Sequence, residues 1–138
     1  VTTAIRFHPV EIVLSMLIKA VLIVILGAPA LAIFLFEVVL NGAAMFNHSN
    51  VKLPQWFDAL LRKAIVTSDM HRVHHSIHRR EIDSNYGFNF SIWDRIFRTY
   101  RAQPEDGHEG MTIGLKDYQN GEPVRLTWSL WLPFLRKN

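Results

Sequence analysis

Residues 12–46 form an almost uninterrupted apolar stretch, in which Lys19 and Glu37 are the only charged side chains. The stretch is too long for a secretory signal sequence, which has a short apolar run followed by a small-residue cleavage site. One straight helix over residues 9–47 would extend roughly 58 Å, nearly twice the ~30 Å hydrocarbon thickness of a bilayer. The chain must therefore turn within this stretch.

The run Gly27-Ala28-Pro29 supplies the break. Glycine commonly follows the last turn of a helix, and proline suits the first turn of the next one. The pattern therefore predicts a hairpin of two helices, over residues 9–26 and 29–46, each close to the minimum length that spans a bilayer.

The rest of the chain is polar, because 13 of the 15 Lys and Arg and 10 of the 12 Asp and Glu follow His48. Basic residues close to the ends of membrane helices favour the cytoplasmic side, so we predict an integral membrane protein whose polar half is cytoplasmic. Anionic lipid headgroups explain the basic balance, and no nucleic-acid recognition module is visible, so we expect no nucleic-acid partner. The alternative is a buried hairpin of a soluble protein, which Lys19 supports, since a charge inside lipid is costly.

The predicted fold class is all-α: a membrane helical hairpin followed by a cytosolic helical metal-binding region with an irregular C-terminal segment. We divide the 138 residues into the hairpin (1–47), a histidine-box catalytic region (48–115) and a C-terminal packing or interfacial tail (116–138). Residues 53–63 have the pattern of an amphipathic helix at the membrane surface. Since the chain opens at Val1 without a methionine, we expect it to be part of a longer protein.

Four of the 7 histidines fall within residues 71–78. Thr67-Ser68-Asp69 supplies good helix N-cap residues ahead of them, and no Gly or Pro interrupts the run to Arg80, which predicts one helix through the cluster. Positions i, i+3 and i+4 share a helix face, so three imidazoles can point at one region. The three are His71, His74 and His75.

The chain has no cysteine, so any metal must be bound through nitrogen or oxygen. Imidazole suits iron, zinc, copper and nickel, and the three histidines predict a metal site. A zinc-peptidase site is disfavoured, because such enzymes need a glutamate within or beside the histidine pair. A pH-sensitive or merely soluble histidine-rich surface is the remaining alternative.

The other histidines differ in their surroundings. His48 follows the second predicted membrane helix, and we expect it to join the metal ligands if the helix face is nearby. His78 lies about one turn beyond the cluster and is expected to be exposed or to support a ligand. His8 and His108 are expected at the surface, in a helix entry and in an acidic turn respectively.

The histidine cluster is one of four motifs that follow each other along the chain. They are Asn47-His48-Ser49-Asn50, His71-Arg72-Val73-His74-His75-Ser76, Asn85-Tyr86-Gly87-Phe88 and Trp93-Asp94-Arg95-Ile96-Phe97-Arg98-Thr99-Tyr100. In this order the motifs resemble the C-terminal half of the sterol desaturase and fatty acid hydroxylase superfamily, and the likeness covers residues 2–115. The ordered combination is far more specific than any single motif.

The resemblance implies an integral membrane oxygenase with a histidine-bound diiron centre at the cytosolic membrane face. Such an enzyme uses O2 and two electrons to hydroxylate or desaturate a C–H bond of a lipid, such as a sterol or a fatty acyl chain. The implied cofactor is non-haem iron, two ions in the complete protein, with zinc as a substitute in purified samples. The implied electron donor is a cytochrome b5-like protein, a ferredoxin or a reductase.

The resemblance also assigns roles to individual residues. The last histidine box of the family matches His71, His74 and His75, and an isolated histidine after the final membrane hairpin matches His48. The segment that packs beneath the metal matches Trp93 and Asp94, and a carboxylate there can orient a ligating imidazole. Asn85 and Tyr86 match polar groups near the site, although each can equally be a turn or core residue.

Three departures from the family pattern leave a second hypothesis open. The first two histidine boxes of the family precede the segment at which this chain starts. Some members carry a further histidine where this chain has Ala44, and Arg98 replaces the usual glycine. The alternative is a non-catalytic or degenerate membrane subunit of the same fold with an incomplete metal site.

Overall fold

A computed structural model describes residues 8–114, 116, 119, 126–131 and 134, and these residues are helical with no β-strand, which confirms the predicted class. The helices are α1 (Pro9–Leu26), α2 (Ala30–Asn47), α3 (Gln55–Leu61), α4 (Ser68–His74), α5 (Arg79–Ile82), α6 (Ile92–Ile96), α7 (Gly107–Gly110) and α8 (Leu126–Trp131). Most of the tail predicted as a packing or interfacial segment lies outside the described residues. The division of the chain into three regions stays a prediction.

The break between the first two helices lies where the sequence predicts it. Gly27 ends α1 in the left-handed conformation, with φ of 61°, and the Ala28 amide donates a hydrogen bond back to the Ile23 carbonyl at 3.2 Å. Glycine adopts this conformation without the steric cost that a Cβ would bring. Pro29 is extended and precedes α2, so the second helix begins one residue later than predicted.

The two charges of the apolar stretch pair with each other across the hairpin. Lys19 Nζ lies 2.5 Å from Glu37 Oε1, and Asn41 Nδ2 donates hydrogen bonds to the carbonyl and the carboxylate of Glu37. An unpaired charge at this depth is costly, and the pairing reduces that cost. The ion pair also fixes α1 beside α2 in an antiparallel arrangement.

The apolar side chains of the hairpin remain exposed. No residue of α1 is buried, and Asn47 is the only buried residue of α2. A hairpin in the core of a soluble protein would bury these side chains, whereas contact with lipid or with further membrane helices requires them to be exposed. Both helices are long and apolar enough to cross a membrane.

The polar half has a small core that is connected by hydrogen bonds. Its buried apolar side chains are Val66, Met70 and Val73. Asn85 is fully buried beside them; its Nδ2 donates to the carbonyls of Met70 and Arg101, and its Oδ1 accepts from the Arg101 amide. A buried amide whose donors and acceptor are all used fixes the segments that it joins.

The helix through the histidine cluster is shorter than predicted, because α4 ends at His74. The next residues pair with another segment instead: the Ile77 amide donates to the Thr112 carbonyl at 3.1 Å, and the Gly114 amide donates to the His75 carbonyl at 2.8 Å. These contacts between distant parts of the chain override the local preference for helix. Helical structure resumes only in α5.

The predicted amphipathic segment, residues 53–63, contains α3. Trp56 and Leu60 project outward and are 72% and 54% exposed. On the opposite side, Asp58 and Arg62 are buried and form an ion pair. The exposed apolar face agrees with a helix that lies on a membrane surface.

Arg98 takes an unusual backbone conformation at the end of α6. Its φ is 59°, in the left-handed region, and the Thr99 amide donates to the Asp94 carbonyl at 2.8 Å. The Arg98 amide donates to the Arg95 carbonyl at 3.4 Å. This pair of hydrogen bonds is the Schellman motif, whose left-handed position is usually glycine, so an arginine there is strained.

We therefore expect Arg98→Gly to raise the free energy of unfolding by about 0.5–1 kcal/mol, since relief of left-handed strain exceeds the entropy cost of glycine. Urea unfolding in detergent measures the change. Arg79→Gly is the matched control: Arg79 is an exposed helical residue, and glycine there should lower stability by about 0.5–1 kcal/mol. Equal losses in both variants would contradict the strain at Arg98.

Candidate metal centre

The end of α2 is attached to the start of α4 through one backbone carbonyl. Phe46 O accepts hydrogen bonds from Ser49 Oγ at 2.7 Å and from Ser68 Oγ at 2.6 Å, and the two hydroxyls lie 3.0 Å apart. Carbonyls in the last turn of a helix lack hydrogen-bond partners within the helix, so side chains can donate hydrogen bonds to them. The contact places His48, which follows α2, beside the histidine helix.

The start of α4 is fixed by a cap, since Thr67 Oγ1 accepts a hydrogen bond from the Met70 amide at 3.3 Å. One turn later, His71 and His75 lie on the same helix face at positions i and i+4. Their Nε2 atoms are 3.2 Å apart, and His48 Nε2 lies 3.2 Å from the first and 3.3 Å from the second. We call His48, His71 and His75 the histidine triad.

Hydrogen bonds cannot account for these three contacts. Each Nε2 carries either one hydrogen or one lone pair, so at most one hydrogen bond can form among three such nitrogens. A metal ion at the usual 2.0–2.1 Å from imidazole nitrogen, with tetrahedral angles, holds its ligands about 3.3–3.4 Å apart. The histidine triad therefore fits a metal ion that it would bind from one side.

The proton position of His48 agrees with metal binding. His48 Nδ1 lies 2.9 Å from the Ala44 carbonyl, which can only accept, so this nitrogen carries the hydrogen and leaves the Nε2 lone pair available. Ligating histidines usually donate their other ring hydrogen in this way. In contrast, His71 Nδ1 is buried and has no hydrogen-bond partner among the described residues.

The surroundings keep two members of the triad, His71 and His75, unprotonated. Burial, followed by the charges of His75, His48 and His74, lowers the pKa of His71 to about 3. Burial, followed by the charges of His48 and His74, lowers the pKa of His75 to about 4. At neutral pH these imidazoles are neutral, which is the form that binds a metal.

The structure does not bring His74 into the triad. Its Nδ1 donates to the Ser84 carbonyl at 2.9 Å, and its ring centroid lies 5.6 Å from that of His71 and 5.5 Å from that of His75. The hydrogen bond leaves the Nε2 lone pair of His74 available, at a position adjacent to the triad.

Asp94 is connected to the histidines through the turn at Gly87. Its carboxylate accepts hydrogen bonds from the Gly87 amide at 2.9 Å and from the Thr99 hydroxyl at 2.7 Å, and none of its described hydrogen bonds goes to an imidazole. The residues on either side of Gly87 touch the histidines: the Tyr86 ring lies 5.6 Å from that of His74, and Phe88 contacts His71. Asp94 thus positions the turn that covers the histidines.

The remaining candidates lie away from the triad. Asn85 joins segments of the core, as described above, and Tyr86 is 58% exposed, with its hydroxyl 3.3 Å from Asp83. His78 precedes α5 and pairs with Asp106 at 2.8 Å, an acceptor that raises the pKa of this imidazole. His8 caps α1, where its Nδ1 accepts from the Val10 amide.

A small cavity of about 200 Å³ opens beside His48 and His75. The sequence prediction missed its other walls, which are Asn47, Ser49, Asn50, Ser68, Arg72 and Ile113. Three of them, Asn47, Ser49 and Arg72, are immediate neighbours of a predicted ligand in the sequence, and that adjacency was the available signal. The triad thus has one side open to this cavity.

Comparison with known proteins places the chain in a family context. The family model for fatty acid hydroxylases matches residues 1–99. Alkylglycerol monooxygenase of Homo sapiens is 36% identical over 72 residues, which are 49% of this chain and 16% of that protein. Ornithine lipid hydroxylase OlsE of Rhizobium tropici is 28% identical over 99 residues, which are 72% of this chain and 29% of that protein.

A second alkylglycerol monooxygenase, from Caenorhabditis elegans, is 48% identical over 40 residues, which are 29% of this chain and 8% of that protein. The chain thus spans less than a third of the length of each of these relatives. No solved structure matches the chain.

The first prediction from this geometry concerns pH. Unfolded histidines titrate near 6.5, whereas folded His71 and His75 titrate near 3 and 4, so the unfolded state binds more protons between these values. We expect the metal-free protein to lose stability as the pH falls from about 7 to 4. Thermal unfolding in EDTA measures this loss, and His71→Asn with His75→Asn should flatten the dependence. If the stability of the double variant depended on pH just as steeply, His71 and His75 would not be the cause of the loss.

The second prediction concerns the turn at Gly87, where an added Cβ would lie 2.6 Å from Asp94 Oδ2 and 2.8 Å from Phe90 O. We expect Gly87→Ala to lower the free energy of unfolding by about 1.5–3 kcal/mol, the scale of a hydrogen bond to a charged group, and to weaken metal binding. Gly42→Ala is the control, because nothing lies within 4 Å of its Cβ. Urea unfolding measures the stability of each variant, and a metal titration measures its metal affinity. A Gly87→Ala protein with unchanged metal affinity would contradict the role of this turn in positioning the histidines.

Proposed function

Because the chain belongs to the fatty acid hydroxylase family, we propose that the protein is a membrane-bound oxidoreductase that hydroxylates a C–H bond of a lipid. The reaction balances when the C–H bond, O2, two electrons and two protons give the alcohol and one water. Hydroxylation is favoured over desaturation, because the relatives named above are monooxygenases and a hydroxylase.

The convergence of three imidazole nitrogens within 3.3 Å of one another carries this proposal. Their donor set suits non-haem iron, and it suits zinc equally well, so zinc is expected to occupy the site in samples prepared without iron. Iron held by these residues would supply the chemistry of O2 reduction. The protein keeps His71 and His75 neutral, orients the three imidazoles and leaves one side of the triad open.

A diiron centre is the finer part of the proposal, and His74 supports it. The Ser84 carbonyl fixes the hydrogen of this ring on Nδ1, so the lone pair of Nε2 is available to a metal ion next to the triad. One histidine cannot hold a second iron, and the proposal therefore requires further ligands from outside the described residues.

The lipid chain has a path to the triad from the membrane. A cleft of about 390 Å³ lies between α1 and α2, from the Lys19–Glu37 pair at one end to Ala44 and Phe88 at the other. Ala44 O holds His48, and the Phe88 ring contacts His71 at a centroid distance of 6.4 Å. The cleft therefore ends at two residues that contact the triad.

Two further elements of the proposal follow from the membrane geometry. The polar half lies on the cytoplasmic side, consistent with the basic residues that follow the hairpin. The two electrons come from a soluble or membrane-bound carrier on that side, such as a cytochrome b5-like protein, a ferredoxin or a reductase.

Metal content and product formation test the function together. We expect the protein, expressed from its whole coding region and purified anaerobically in the presence of iron, to contain two irons. It should form hydroxylated lipid when O2 and a reductant are added. His75→Ala should abolish product and lower the iron content, and His74→Ala should remove one iron. His78→Asn, which changes an exposed histidine, is the matched control and should retain both.

A stable protein that holds fewer than two irons and consumes no O2 would favour the alternative, a non-catalytic or degenerate subunit with an incomplete site. Loss of iron in His78→Asn to the same extent as in His75→Ala would also contradict the assignment.

A further inference from the structure

A second, larger cavity lies on the polar half, between the residues that follow α2 and the short helix α7. Its volume is about 720 Å³, and its polar lining includes Asn50, Lys52, Gln55, Asp69, Arg72 and His108. Asn50 and Arg72 also line the small cavity beside the triad. The two cavities therefore share a wall, and the larger one lies immediately beyond the open side of the triad.

The position of this cavity matches the headgroup layer of a membrane. Its wall includes Pro54 and Gln55, at the start of α3 and only a few residues after the last apolar turn of α2. From the same helix, Trp56 and Leu60 project outward as exposed apolar side chains. A tryptophan so exposed next to a membrane helix is typical of the boundary between lipid and water.

Pairs of opposite charges line the cavity. Lys52 Nζ lies 3.1 Å from Glu109 Oε1, and the two side chains are 83% and 89% exposed. An ion pair this exposed is weak and readily exchanges its partners. Arg72 lies 3.6 Å from Asp69, and these two side chains are much less exposed than Lys52 and Glu109.

His108 adds an unsatisfied polar group to the same cavity. Neither of its ring nitrogens has a hydrogen-bond partner among the described residues, and both are shielded from solvent. Burial lowers the pKa of this histidine, so its neutral ring offers one donor and one acceptor. Shielded polar atoms of this kind normally have partners, and a bound polar molecule would supply them.

We propose that this cavity binds the headgroup of the lipid substrate, and that the headgroup is zwitterionic, with its cation at Glu109 and its anion at Lys52. The inference rests on the proposed function. Because the cavity adjoins the triad through Arg72, the carbon that is hydroxylated lies close to the headgroup rather than far along the lipid chain. The chain then extends towards the cleft between α1 and α2.

Binding of short-chain lipids, without O2 and therefore without turnover, tests the proposal. The probes are dihexanoylphosphatidylethanolamine (one charge of each sign), dihexanoylphosphatidylglycerol (an anion only) and monohexanoylglycerol (neutral). Titration calorimetry on the metal-free protein gives the affinities. We expect the zwitterionic probe to bind most tightly, and Lys52→Gln and Glu109→Gln each to weaken it about three- to fivefold.

Charge reversal gives a sharper result. Glu109→Lys should weaken binding of the zwitterionic probe and strengthen binding of the anionic probe. Lys52→Glu should weaken binding of the anionic probe. Lys63→Gln, at an exposed lysine that does not line the cavity, is the control and should bind like the unaltered protein. Equal binding of the three probes, or charge variants that bind like the control, would overturn the proposal.

The two proposals fail in different ways. If the binding pattern holds but no lipid is hydroxylated, the cavity assignment stands and the oxygenase function fails. If lipid is hydroxylated at an unchanged rate in Lys52→Gln and Glu109→Lys, the function stands and the cavity assignment fails.

Discussion

Three imidazole nitrogens lie within 3.3 Å of one another at the junction of the two halves of the chain, and the rest of the site depends on that proximity. Without a cation the arrangement is unfavourable, because protonated rings would repel each other and neutral rings cannot satisfy all three contacts. Burial of His71 strengthens both effects. A bound metal ion would remove the conflict, since the three imidazoles could then all direct their lone pairs at it.

Two features of the fold maintain this arrangement, and neither is a large apolar core. The Phe46 carbonyl, shared by two serine hydroxyls, attaches the membrane hairpin to the histidine helix. On the other side, Asp94 holds the turn at Gly87, whose neighbours contact the rings of the histidines. Hydrogen bonds are directional, so they position side chains more sharply than apolar packing of the same small size.

The sequence predicted the parts of the fold that follow from local physics. Apolar length and the Gly27-Ala28-Pro29 run determine both helices of the hairpin, and i, i+4 spacing places His71 and His75 on one face. The early end of α4 was not predictable, because it depends on pairing with residues 112–114, far along the chain. The separate position of His74 likewise depends on a distant carbonyl, that of Ser84.

Counting the imidazoles on a bound metal tests the central claim most directly. One equivalent of zinc can be added to the purified protein, and its X-ray absorption fine structure gives ligand type and distance. We expect three imidazole nitrogens at about 2.0–2.1 Å from the zinc, falling to two in His75→Ala. A shell of oxygen ligands, or an imidazole count that His75→Ala leaves unchanged, would contradict it.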